Sequence, residues 1–320
     1  MIKPNIKLLI ISLYIFFTLT LEAQTFSRTQ VIMSTFITIS VDEKDKNLVE
    51  HGFNIMKKVD ASLSSYKKSA VIYRLNRDKK IKLDSYTYQA LKESKKLYKN
   101  SDGYFDITVG SITKDLYHFG EQERVPTTKE LSCAKVNFKG IHFNKDRATL
   151  DKGIKVDLGG IGKGFGVDKV AGYFRANGVD AKISASGDIR CLDICAIDVQ
   201  DPFSDEILLS FKTSKRDLGI TTSGNYNRYV ASTKNNHLIN PKSKKSQTKF
   251  VSITLIGSLS SSFLDAYATA SSVMPVRKAY EFLDSLEVAY IVLQSDAKMK
   301  ISSNISKYTS DLFMNDAVKK

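Results

Sequence analysis

The sequence predicts an α+β fold in one domain over residues 24–320, behind an export signal at 1–23. Three observations point there. Helix-period and strand-period stretches are mixed without the regular β–α–β alternation of a doubly wound sheet. No internal repeat, low-complexity tract or linker divides the chain, and only five prolines interrupt it. Finally, 42% hydrophobic and 26% charged residues, with 17 Phe and 15 Tyr, furnish a sizeable core and exclude disorder or a multi-span membrane protein.

The elements follow in order. Residues 31–41 (VIMSTFITISV) space their apolar side chains by two, as one strand would. Val49, Phe53, Met56 and Leu63 share a stripe that predicts a helix over 46–63. A second helix is expected over 86–99, stopped before Ser101-Asp102-Gly103. The stretch 115–150 is polar and irregular and reads as an insertion. Ile154, Val156 and Leu158 alternate like a half-buried strand. Val167, Val170, Ala171 and Phe174 then recur at helical spacing, with Gly178 placed to close that helix. A strand near 251–256, a Ser-rich turn, a helix over 264–273 and a helix–strand pair over 276–294 complete the pattern.

The N-terminus carries an address. Lys3 and Lys7 precede the apolar run Leu8–Leu21, and Ala23 is a small residue at the cleavage point. The run is shorter than the roughly 20 residues that a spanning helix needs and fits a signal peptide. A retained anchor and a buried N-terminal helix are the alternatives. No Cys lies near Ala23, so a lipoprotein is not expected, and the protein is placed in the periplasm or on the outer face of the inner membrane. The net charge of +14, from 48 Lys and Arg against 34 Asp and Glu, favours an anionic membrane surface or a phosphate-bearing ligand. Scattered lysines read equally as a solvated surface, and export argues against nucleic acid as a partner. Of the three cysteines, Cys191 and Cys195 pair only if the chain turns between them. Four strand residues span about 13 Å, whereas a disulfide needs Cα atoms within about 7 Å. Buried thiols are the expectation, and zinc has no nearby His to support it.

Several stretches carry chemistry. Val156-Asp-Leu-Gly-Gly-Ile-Gly-Lys-Gly-Phe-Gly166 runs through five glycines into a helix. Such a turn lets backbone approach a phosphate, a helix start offers free N–H groups, and Lys163 adds a charge. It is neither a Walker A loop nor a GxGxxG fingerprint, and a purely structural turn is the alternative. Asp265 and Thr269, four apart in Leu264-Asp-Ala-Tyr-Ala-Thr-Ala270, share one helix face and offer hard oxygen donors suited to Mg²⁺. The competing reading is an acid near a helix start, stabilised by the dipole. In Asp102-Gly-Tyr-Phe-Asp-Ile-Thr108, Tyr104 and Phe105 either bracket a flat ring or fill the core. His237-Leu-Ile-Asn-Pro241 supplies one of only four His, and Thr222-Ser-Gly-Asn-Tyr226 completes the set.

From about Met33 to Met274, these segments resemble in order the ApbE-type FAD:protein FMN transferases. Met33-Ser-Thr35 resembles the family's M-G-T, and Ser64-Ser-Tyr66 with Arg74-Leu-Asn76 its next block. Asp102 to Thr108 matches G-x-F-D-x-T, and Asp157-Leu-Gly-Gly-Ile-Gly-Lys-Gly is similar to D-L-G-G-I-A-K-G. Ser186-Gly-Asp-Ile-Arg190, Thr222 to Tyr226, His237 to Pro241 and Asp265-Ala-Tyr-Ala-Thr269 resemble G-G-D-I-R, T-S-G-D-Y, H-I-I-D-P and D-A-L-A-T. The resemblance implies FAD lying across the glycine-rich turn. Around it would stand Met33, Ser65, Tyr66, Tyr104, Phe105 and Asp106, with Asp157, Gly159, Lys163, Phe165 and Ile239 completing the shell. It also implies Mg²⁺ on the pyrophosphate, held by the Gly162 carbonyl, the Asp265 carboxylate, the Ala268 carbonyl and Thr269 Oγ1.

In that scheme a Thr or Ser hydroxyl of a partner protein, expected to be a membrane redox subunit, attacks the FMN-side phosphorus and AMP leaves. His237 would be the base and Asp265 would act through the metal. Two departures fall on the acceptor side: Lys242-Ser-Lys-Lys lacks the family's glycine, and Asn225 replaces an acid. No acceptor motif of the S-G-A-T kind occurs in this chain, so the modified protein is another molecule. Rival readings are an FAD pyrophosphatase, a flavin-delivery protein without turnover, and an exported polymer-binding module.

Overall fold

The computed structural model describes residues 24–315, and the export signal expected at 1–23 lies outside the described residues. The chain opens with strands β1 (Thr25–Ile32) and β2 (Thr35–Asp42), helices α1 (Val49–Leu63) and α2 (Val71–Asp78), strand β3 (Lys80–Lys82) and helix α3 (Ser85–Asn100). Short helices α4 (Gly110–Thr113) and α5 (Thr128–Cys133) and strands β4 (Ile141–Phe143) and β5 (Arg147–Leu150) lead to helix α6 (Gly162–Ala176). Next come β6 (Ala181–Ala185), β7 (Asp188–Cys191), β8 (Ala196–Gln200), β9 (Ile207–Thr213) and β10 (Leu218–Gly224). The small pair β11 (Ile239–Asn240) and β12 (Lys245–Ser246) precedes β13 (Phe250–Gly257) and helices α7 (Ser261–Val273) and α8 (Val276–Asp284). Strands β14 (Val288–Gln294), β15 (Met299–Ile301) and β16 (Thr309–Met314) end the chain.

Eight strands form one antiparallel sheet in the order β1-β2-β6-β7-β10-β13-β14-β15. Both faces of its centre are covered, which explains the sequence of β13. Every residue of Phe250–Gly257 is buried, so the strand reads as an apolar run rather than an alternation. Ile253 and Leu255 join the core built with α3 and α7, whereas Ile256 packs with Ile220 and Ile291 against Ile197 and Phe211 of the small sheet β16-β9-β8. A third core, with Ile37, Ile39, Phe53 and Phe174, lies between the β1–β2–β6 end of the sheet and helices α1 and α6. Each such fully buried side chain contributes about 1.5–3 kcal/mol.

The expected helices form with small changes at their ends, and Gly178 closes α6 at φ +66°. Four expectations need correction. The stretch 31–41 is a hairpin, because Met33 and Ser34 both take positive φ (57° and 59°) and make the tight turn whose twist suits antiparallel strands. Residues 154–158 form no ladder beyond a single bridge from Lys155 to Val109. The buried Asn76 side chain takes both main-chain groups of Val156 instead, at 2.7 and 2.8 Å. The stretch 115–150 is integral, since β5 pairs with both β3 and β4 in a sheet of their own. Cys191 and Cys195 form a disulfide with Cα atoms 6.0 Å apart, because the chain bends as β7 ends. Cys133 is a free, exposed thiol rather than a buried one.

Candidate active site

Helices α6 and α7 meet backbone to backbone. A Cβ on Gly164 would lie 2.2 Å from the Ser261 carbonyl oxygen, so only glycine permits the contact. Asp168, further along α6, accepts from the Ser261 and Ser262 N–H groups at 2.7 and 2.9 Å. It thereby satisfies free donors at the start of α7. Because α7 begins at Ser261 and not at 264, Asp265 lies in its second turn and does not cap it. The dipole reading of Asp265 fails on that geometry.

Asp265 is instead buried against α6. Its Oδ2 accepts from the Gly164 N–H at 3.2 Å and lies 3.7 Å from Lys163 Nζ, which is 2.8 Å from Asp188 Oδ2. Two buried carboxylates thus share one ammonium. Burial and the Asp188 charge push the Asp265 carboxyl up to about 7, against the pull of Lys163 and the Gly164 N–H. Burial would weaken the Lys163 charge, but the two carboxylates overcome it and keep the ammonium fully protonated. One turn on from Asp265, Thr269 points at the glycine-rich turn. A Cβ on Gly160 would come within 3.0 Å of Thr269 Oγ1, so glycine leaves that hydroxyl approachable.

A buried carboxylate short of positive charge, with a hydroxyl one turn on and the glycine-rich turn against both, fits a hard divalent cation such as Mg²⁺. That ion is typically held by one or two carboxylates together with substrate phosphates. Among the described residues no cluster of three or more His, Cys, Asp or Glu side chains offers a softer site. The Ala268 carbonyl, expected as a further ligand, accepts from the Ser271 and Ser272 hydroxyls at 3.2 and 2.7 Å and is not brought to the cleft.

The helices border a cleft of about 1000 Å³, room enough for a dinucleotide. Of the shell expected around FAD, Met33, Ser65, Tyr66, Tyr104, Phe105 and Asp106 line it, as do Asp157, Gly159, Lys163 and Ile239. Phe165 does not. It is fully buried, edge-on to Tyr86 with ring centroids 6.4 Å apart, on the core side of α6. The aromatic residues are held by cations. Lys242 and Lys278 ammoniums stand 4.2 and 4.9 Å from the Tyr104 ring centre, and Lys114 stands 3.6 Å from that of Tyr66. The Tyr66 hydroxyl donates to the Phe119 carbonyl at 2.9 Å and pairs with Arg228.

Asp106 is tied to Thr108 through its N–H and hydroxyl at 2.8 and 2.7 Å, and burial raises its carboxyl. At Asp157 burial acts in the same direction but is outweighed. Lys114 at 3.5 Å, the Thr113 hydroxyl at 2.6 Å and the Gly159 N–H at 2.9 Å bring it down to about 2. His237 is fixed by a 3.1 Å contact from Nδ1 to the Arg228 carbonyl. A carbonyl only accepts, so Nδ1 carries the proton and Nε2 is left as a base. Removal from water, with Arg228 and Lys163 nearby, pushes the imidazole down to about 4 and keeps it neutral.

Four residues of the site were not singled out from the sequence: Asp188, Asp168, Lys114 and Arg228. Asp188 had a visible signal, lying inside the Ser186–Arg190 block. The other three act through distant partners and leave no local pattern.

Fold and site together define a class: an α+β domain whose two abutting helices hold carboxylate, hydroxyl and ammonium groups at one wall of a dinucleotide-sized cleft. The ApbE family model matches residues 33–292, and the chain belongs to that family. Among its relatives is the FAD:protein FMN transferase of Vibrio cholerae serotype O1, 26% identical over 278 residues that cover 81% of each chain. The protein of that name from Haemophilus influenzae is 28% identical over 80% of this chain and 81% of its own. The crystal structure of the ApbE protein from Thermotoga maritima superposes with a TM-score of 0.82 at 22% identity, over 90% of this chain and all of that one. The flavin transferase ApbE from Vibrio cholerae gives 0.77 at 23%, over 89% and 99%.

Proposed function

We propose that the protein transfers the FMN moiety of FAD to a Thr or Ser hydroxyl of an exported acceptor protein, leaving a phosphoester and releasing AMP. The observation that carries this reading is the Lys163–Asp188–Asp265 arrangement beside Thr269, at the glycine-rich end of a cleft that also holds a neutral His237. The ammonium and the start of α6 suit a pyrophosphate better than a single phosphate. Asp265, Thr269 and the Gly162 carbonyl would hold Mg²⁺, which when bound offsets charge on the phosphates. Tyr66, Tyr104 and Phe105, which line the cleft, would stand beside the flavin. His237 Nε2 takes the proton of the acceptor hydroxyl as its oxygen bonds to the FMN-side phosphorus, and the bond to the AMP phosphate breaks. An alcohol needs that base because its own pKa is far above neutral. The relatives bearing the name FAD:protein FMN transferase support the same chemistry. The Leu8–Leu21 run supports export to the periplasm or the outer membrane face, where a membrane redox subunit would be the acceptor.

The test is incubation of the full chain with FAD, Mg²⁺ and a carrier protein bearing an exposed Ser-Gly-Ala-Thr segment. The expected result is flavin fluorescence on the carrier in a denaturing gel together with equimolar AMP. AMP and free FMN with an unlabelled carrier would identify a pyrophosphatase instead. FAD binding with no AMP would identify a delivery protein.

A further inference from the structure

We propose that the free edge of β8 receives an extended segment of the acceptor protein as an added strand, and so delivers its hydroxyl into the cleft. β8 is the outer strand of the sheet β16-β9-β8, and among the described residues no strand pairs with its other edge. Its side chains alternate, with Ile197 and Val199 buried and Asp198 and Gln200 exposed. Yet all four residues border the cleft. Successive side chains point to opposite faces, so they line one cavity together when the strand turns its edge to it.

Two hydrogen bonds fix which main-chain groups that edge presents. The Cys195 carbonyl accepts from the Thr213 N–H at 3.0 Å, so the odd-numbered residues of β8 turn their groups toward β9. The Ala196 carbonyl points the other way and accepts from Lys182 Nζ at 2.7 Å. The N–H and C=O of Asp198 therefore turn away from β9 and toward the cleft that Asp198 borders, up to the register shift after Val199.

The inference rests on the proposed function, in which a protein segment enters this cleft. A dinucleotide has no periodic row of donors and acceptors to match a strand edge, whereas an extended peptide does. The exposed Asp198 carboxylate favours a basic or hydroxyl side chain opposite it. Phe203, 69% exposed just beyond β8, adds an apolar contact for the flank of the segment.

The experiment uses the full chain with FAD, Mg²⁺ and a short synthetic peptide containing Ser-Gly-Ala-Thr, N-methylated at one main-chain nitrogen at a time. Transfer efficiency is expected to fall about tenfold at alternate positions and little at those between, because only every second N–H of an added strand meets the ladder. In the enzyme, Asp198→Pro removes an outward N–H and spares the β8–β9 bonds. It should raise the KM for the peptide about tenfold with FAD affinity unchanged by fluorescence titration. Loss that does not alternate along the peptide, or an unchanged peptide KM in a folded Asp198→Pro protein, overturns the proposal. Absence of transfer even to the unmethylated peptide overturns the proposed function, and the acceptor strand with it.

Discussion

The two sides of the cleft are built differently. On the donor side, Lys163, Gly164 and Asp265 belong to two helices packed so closely that a methyl group is excluded at Gly164, and Gly160 in the turn before them is also tight against Thr269. On the acceptor side, β8 and the loop carrying Arg228 and His237 are a half-exposed strand edge and loop. A phosphate site must be stiff, because its charges act through fixed short distances. An acceptor site has to admit a protein segment and release it. The difference separates what each mutation should do.

On the acceptor side the effect should fall on transfer alone. His237→Ala should slow transfer by roughly 10²–10⁴-fold, as loss of a general base does, while FAD affinity remains close to wild type. A variant that loses FAD binding along with transfer would erase the distinction between the sides. On the donor side, Gly164→Ala forces a Cβ onto the Ser261 carbonyl and should cost about 1–3 kcal/mol of stability, as overpacking does. FAD affinity should fall with it, measured by melting and titration on one sample. Asp168→Ala should cost about 0.5–2 kcal/mol as a lost helix cap and lower cation affinity by loosening α7 against α6. Asp168→Asn keeps one acceptor oxygen but turns an NH2 donor toward the second N–H, so it should recover at most part of both.

The donor side was also the more legible in the sequence. The glycine run announces the turn, although the contacts that require Gly160 and Gly164 are made with Thr269 and Ser261 on the distant helix α7. Lys163 is read from the glycine-rich turn itself, and Asp265 and Thr269 from helical spacing. Phe165 and Ala268 do not border the cleft: the helical position of Phe165 faces the core, and the Ala268 carbonyl accepts from the Ser271 and Ser272 hydroxyls, neither of which spacing shows. The hairpin at Met33 and Ser34 was hidden because neither residue is a usual turn former. On the acceptor side, the edge of β8 and the hold of Arg228 on His237 are main-chain features with no preferred residue type. Asn76, standing in for a strand partner of Val156, was hidden because its side-chain amide acts on a main chain 80 positions away.

A smaller effect follows from pH. The Asp265 carboxyl sits at about 7 in the fold against 3.8 ordinarily, so between those values the folded state binds more protons than the unfolded one. That share of stability is present below about pH 4 and is lost as pH rises toward 7. Melting curves without divalent cations should show the loss, and Mg²⁺ should remove it by holding the carboxylate ionised.

The most direct test of the account is AMP release by Asp265→Ala, measured beside its melting temperature. Lys163 keeps Asp188 as its partner in that variant, and no helix cap is removed, so the protein should stay folded. AMP release should drop to background, and EDTA should do the same to the wild type. A folded Asp265→Ala protein that still releases AMP from FAD in EDTA would contradict the account.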